Sequence, residues 1–146
     1  MPVVEWNYTF LLGIKEIDQH HQRLVELLNK AYEEFKVGAT VENMQSVIDQ
    51  LVDYSAYHFD CEERWMADVS YHSLAKHKEE HAIFTSRILE FQNTLRQNGN
   101  VSLELVSFLS NWVTHHILTT DAELGRFVEL QSIRRKVSKK LSKPVK

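Results

Sequence analysis

Residues 74–97, LAKHKEEHAIFTSRILEFQNTLRQ, decide how the chain is read. Phased at about 100° per residue, Leu74, His77, His81, Phe84, Ile88, Phe91 and Leu95 share one face of a helix. No Gly or Pro interrupts the stretch. Its apolar face carries two histidines. A lone histidine there is most often a hydrogen-bonded core residue, because burying an imidazole costs desolvation unless its nitrogens find partners.

The same pattern recurs on either side. One helix runs from about Asp18, a good N-cap, to Lys36, with Ile17, Leu24, Leu28, Ala31 and Phe35 on its stripe. Gly38-Ala39-Thr40 breaks it, and Thr40 caps a second helix over about Val41–Ala67. That helix aligns Met44, Val47, Ile48, Leu51, Ser55, His58, Glu62, Trp65 and Met66. The chain turns around Val69–Ser73, and Asn98-Gly99-Asn100 stops the third helix. Ser102 can cap a fourth helix to about Leu130, with Val106, Leu109, Val113, His116, Ile117, Thr120 and Leu124 on one face. Before these helices, Trp6, Tyr8, Phe10 and Leu12 alternate with other residues, which suggests an extended arm laid on the body. The fold class is therefore all-α: an up-down-up-down four-helix bundle with an extended N-terminal arm.

Composition agrees. The 146 residues are 43% apolar and 25% charged, with only 4 Gly and 2 Pro, which excludes disordered and collagen-like chains. The lone Cys61 cannot form an internal disulfide, no segment has signal-peptide order, and no apolar run is long enough to span a bilayer. These features suggest a reducing, cytoplasmic setting. Residues 133–146 hold 7 basic and no acidic residues, so the first 132 hold 10 basic against 20 acidic. Residues 1–132 thus read as the bundle and its arm, and 133–146 as a basic tail.

The histidines carry the chemistry. His21, His58, His77, His81 and His116 turn inward from four helices, with Glu62 and Asp121 beside them. They cannot all satisfy one another cheaply, whereas a buried metal cluster satisfies them together. His58/Glu62 and His77/His81 are i,i+4 pairs that present two donors one turn apart. His116 and Asp121 are spaced i,i+5, about 140° apart on a regular helix. Either Asp121 is solvated, or a π-bulge lies between the two; the bulge is the expectation.

In these residues the chain resembles the haemerythrins in their bacterial single-domain form. The resemblance rests on Trp6 and Gly13, Ile17-Asp18-x-x-His21-x-x-Leu24, His58-Phe59-x-x-Glu62-Glu63, His77-x-x-x-His81-x-x-Phe84 and Trp112-x-x-x-His116-Ile117-x-x-x-Asp121. It spans about residues 6–124. It implies a non-haem di-iron centre with His77, His81 and His116 on one iron, His21 and His58 on the other, and Glu62 and Asp121 bridging. With a bridging oxo or hydroxo group, these ligands fill all but one position of two six-coordinate irons. The open position, on the iron with two histidines, is where the family binds O₂. Leu24, Leu28, Phe59 and Trp112 are candidates to line that pocket. The family usually carries Gln before the first ligand, where this chain has His20; His21 is assigned over it on motif and helical phase. His115 and His72 lie off the apolar faces, and Cys61 reads as a small filler at a stripe's edge.

The first functional reading is reversible O₂ binding for storage, transport or sensing, without catalytic turnover. A di-iron oxidase, peroxidase or nitric-oxide-handling enzyme is the alternative, but no histidine follows a Glu by three residues, as in oxygen-activating bundles. A third reading is an O₂-sensing interaction module acting on a protein partner through Arg134, Arg135, Lys136, Lys139, Lys140, Lys143 and Lys146. The acidic body argues against nucleic acid as a partner.

Overall fold

The computed structural model describes residues 3–38, 40–98 and 103–142. Ala39, the stop residues Gly99 and Asn100, the proposed cap Ser102, and Lys143 and Lys146 of the basic tail lie outside them. Four helical rods pack up-down-up-down: α1 (Lys15–Lys36), α2 (Val41–Asp68), α3 (Leu74–Asn98) and a fourth rod in three parts. The fourth comprises α4 (Leu103–His115), a π-helical turn (His116–Asp121) and α5 (Ala122–Ser142). No strand occurs among the described residues.

Two apolar layers hold the rods together. The larger is built on Leu27, Leu28, Ile48, Leu51, Phe84, Ile88, Leu105 and Leu109. The smaller, below the α2–α3 turn, joins Met66, Tyr71 and Leu124. His77 and His81 of α3, Glu62 of α2 and Asp121 of the fourth rod fall between these layers, and His58 and His116 border the larger one beside Phe59 and Ile117. Phe84 meets Trp112 with ring centroids 4.6 Å apart, tying α3 to α4.

Thr40 caps α2 as expected, its side-chain oxygen accepting from the Asn43 N–H at 3.2 Å. Three expectations need correction. Helix α1 starts at Lys15 with Ile14 at its N-cap, so Asp18 does not cap it. Instead the Asp18 carboxylate accepts from the backbone N–H groups of Leu12 (2.7 Å) and Gly13 (3.2 Å), fixing the arm as it enters the helix. The arm is not extended throughout, because Tyr8–Phe10 form a 3₁₀ turn whose start is capped by the Asn7 side chain. That turn leaves Phe10 buried and Tyr8 in solvent, breaking the simple alternation. The fourth rod runs past Leu130 to Ser142, and Ile133 through Lys140 are exposed along it.

The arm is pinned at two more places. Val4 exchanges two backbone hydrogen bonds with the Asn29 amide (3.0 and 2.8 Å). Further along, Leu12 crosses α5 at Gly125, where a Cβ would stand 3.1 Å from the Leu12 carbonyl oxygen.

Candidate metal centre

Between the two apolar layers, seven side chains from four rods converge. They are His21 of α1, His58 and Glu62 of α2, His77 and His81 of α3, and His116 and Asp121 at the ends of the π turn. Each is at most 3% exposed. All seven residues singled out from the sequence are therefore in one cluster.

The contacts sort into two sets. Glu62 Oε1 lies 2.6 Å from His77 Nε2 and 3.4 Å from His81 Nε2. Asp121 Oδ1 lies 2.9 Å from His77 Nε2 and 3.2 Å from His116 Nε2. The other carboxylate oxygens face the opposite way. Glu62 Oε2 is 3.1 Å from His58 Nε2 and 3.5 Å from His21 Nε2, and Asp121 Oδ2 is 3.1 Å from His21 Nε2. Each carboxylate thus divides its oxygens between a three-histidine set and a two-histidine set.

These groups fit metal better than one another. Nε2 of His21, His58 and His77 and all four oxygens of Glu62 and Asp121 are buried without a hydrogen bond of acceptable geometry. Leaving buried carboxylates so would be costly in a protein interior. A cation at the focus of each set would satisfy them, and imidazole with carboxylate suits iron, zinc or manganese.

The π turn brings the last candidate ligand in. The Ala122 N–H donates to the Ile117 carbonyl, five residues back, so the turn is one residue wider than an α turn. Asp121 is rotated inward and fully buried instead of solvated. The Thr119 hydroxyl donates to the His115 carbonyl at 2.6 Å, giving it a side-chain partner in the distorted segment.

Residues 12–128 match the Hemerythrin HHE cation binding domain family. The chain belongs to the haemerythrin family. It is 35% identical over 126 residues to the Bacteriohemerythrin of Stenotrophomonas maltophilia, covering 83% of this chain and 78% of that one. The Clostridium acetobutylicum Bacteriohemerythrin is 32% identical over 123 residues, 81% of this chain and 95% of its own. The solved structure of a wild-type hemerythrin superposes with a TM-score of 0.79 at 23% identity, covering 85% and 96% of the two chains, and bears out the fold.

In this haemerythrin-family chain, further side chains orient the candidate ligands. Nδ1 of His81 is 3.0 Å from Glu63 Oε2. Nδ1 of His116 is 3.3 Å from Glu80 Oε1, and Glu80 also accepts from the Thr120 hydroxyl. Nδ1 of His58 is 3.0 Å from Nδ1 of His20, which is itself buried. The His81 ring stacks on Phe59 at 3.9 Å and the His116 ring on Trp112 at 4.4 Å. Sequence reasoning misses Glu80 and the role of His20, and it reaches Glu63 only as a motif residue. Each stands beside a candidate ligand in sequence or one helical turn from it, the one signal that marks them.

Charges reflect this packing. Burial pushes the His21 imidazole down, but the carboxylates of Asp121 and Glu62 outweigh it and raise its pKa to about 10. The same balance raises His77 and His116 to about 9. Burial lowers His58 and His20. Burial alone would raise Glu62 and Asp121, yet the surrounding imidazoles hold both well below the usual carboxylate range. The hydrogen bond from His116 brings Glu80 to about 2.

A narrow cavity reaches the cluster at His21, His58, His116 and Asp121. Leu24, Leu28, Phe59 and Trp112, the four candidates from the sequence, all line it, with Leu51, Phe84, Leu109 and Val113. About 10 Å³ is open to the centre of a water-sized molecule, room for one small molecule. The hydroxyl of Ser55, also in the wall, is engaged with the Val52 carbonyl at 3.1 Å. Outside the cluster, His115 and His72 are exposed, and His72 packs on Phe127. Cys61 is half-buried rather than a buried filler.

Proposed function

We propose that this chain binds dioxygen reversibly at a non-haem di-iron centre. The observation that carries this is the division of the Glu62 and Asp121 oxygens between two histidine sets. His77, His81 and His116 would hold one iron and His21 and His58 the other. Glu62 and Asp121 would bridge them, with an oxo or hydroxo group completing the bridge. When bound, the iron pair supplies the two electrons that O₂ takes up and returns. The chain does the rest. Five imidazoles to two carboxylates favour holding O₂ over cleaving it. The walls at Leu24, Leu28, Phe59 and Trp112 would turn apolar surface, with no proton donor of their own aimed inward, toward the two-histidine side, where one position would stay open. A binder rather than an enzyme is the reading this supports, and a ferrous resting state is expected in a reducing cytoplasm.

The test is a visible spectrum of the anaerobically reduced, iron-loaded protein before air, after air and after degassing. An absorption band that appears in air and disappears on degassing supports reversible binding. A ferric spectrum that appears and persists, or steady O₂ consumption with added reductant, overturns it in favour of oxidase chemistry.

A further inference from the structure

The three candidate ligands with a partner at Nδ1 are not held alike. His81 and His116 place Nδ1 against the carboxylates of Glu63 and Glu80. An ionised carboxylate can only accept, so Nδ1 carries a proton and Nε2 is the nitrogen left to face a metal. His58 places Nδ1 3.0 Å from Nδ1 of His20, and a neutral imidazole nitrogen can donate or accept.

Only one proton fits between the two Nδ1 atoms. The neutral pair therefore has two arrangements. In one, His58 donates from Nδ1, its Nε2 is bare and His20 keeps its proton on Nε2. In the other, His20 donates from Nδ1 and the proton of His58 moves to Nε2, blocking the atom that faces Glu62 Oε2 at 3.1 Å. That Nε2 is buried and faces the Glu62 carboxylate inside the candidate site, so the first arrangement is the one that a metal ion there requires. His20 is held in place for it: 7% exposed, edge-on to the His58 ring, with Tyr54 and Tyr57 packed against its ring.

We propose that His20 is a positioning residue for the metal site of His21, His58 and Glu62, its Nδ1 accepting the His58 Nδ1 proton so that Nε2 stays free. The inference rests on the metal-centre reading above. It predicts that substituting a group able to accept preserves the site, whereas an apolar group weakens it.

Zinc, which is diamagnetic, is titrated into metal-free wild type, His20→Gln and His20→Leu, after circular dichroism and a thermal melt confirm that each is folded. Wild type is expected to bind two zinc ions. His20→Gln, whose side-chain carbonyl can accept, should stay close to it. His20→Leu should lose about 10–100-fold affinity at one site only. Nitrogen-15 spectra of the histidine-labelled, zinc-loaded wild type should show His20 protonated on Nε2 and bare on Nδ1. His20→Leu binding both ions like wild type, His20→Gln falling as far as His20→Leu, or a proton on Nδ1 of His20 would each overturn the proposal. Wild type that binds no zinc would instead overturn the metal-centre reading, and this inference with it.

Discussion

In the metal-free protein, His21, His77 and His116 remain protonated at neutral pH because Glu62 and Asp121 sit among them. Their pKa values are about 10, 9 and 9, against an ordinary 6.5. Raised pKa values stabilise the fold fully below pH 6.5, and this contribution disappears as pH rises through 9 and 10. His20 and His58, whose values are lowered, titrate below that window and leave the alkaline limb to the other three. The metal-free protein should therefore lose denaturant resistance between pH 6.5 and 10. The metal-loaded protein should not, because metal takes the place of the protons. Midpoints measured with and without chelator check this, and parallel curves would sink it. Six of the candidate ligands were legible because each lies on or beside an apolar stripe, and burial of a polar side chain must have a cause; Asp121 was legible only through its spacing from His116. Glu63 and Glu80 were not, because they are about a quarter exposed and their charges read as ordinary surface. Their role exists only once a neighbouring helix brings an imidazole nitrogen to them.

A π turn adds one residue to a helix without changing the phase of the helix downstream. That accounts for the i,i+5 spacing of His116 and Asp121, where α2 achieves the same convergence with i,i+4 at His58 and Glu62. Deleting Leu118, an exposed residue of the turn, should restore a regular α-helix with the Asp four residues from His116. Helix α5 would keep its phase, and Gly125 would still meet Leu12. Two metal ions should still bind, with a thermal midpoint no lower than wild type. Deleting Ser107 from the regular helix α4 is the contrasting case. It rotates the downstream rod by about 100° and should abolish metal binding. Loss of metal from the Leu118 deletion, with helix content intact, would show that the wide turn is itself required. The bulge was readable because two candidate ligands could not share a line otherwise. The start of α1 was not, because Asp18 has the chemistry of a cap but accepts its hydrogen bonds from Leu12 and Gly13 of the arm.

At the scale of the molecule, the charge asymmetry and the packing divide the chain at different depths. The body carries a formal charge of −10, and the last fourteen residues carry 7 basic groups. Helix α5 nevertheless crosses that boundary without a break, so sequence composition marks a change of surface rather than an end of structure. What changes is burial. Leu124 completes the smaller apolar layer and Phe127 and Val128 pack on it, whereas Ile133 and Val137 are about half exposed. A helix with so little apolar area against the bundle contributes little to global stability, since tertiary packing rather than propensity sustains most protein helices. A chain ending at Ser132 should therefore keep its thermal midpoint within about 2 °C and bind metal as before. Its elution from an anion exchanger should shift strongly later, because removing the basic groups exposes the full acidic charge of the body. A fall of more than about 5 °C in the midpoint would instead mean that the basic segment packs on the bundle and belongs to its core.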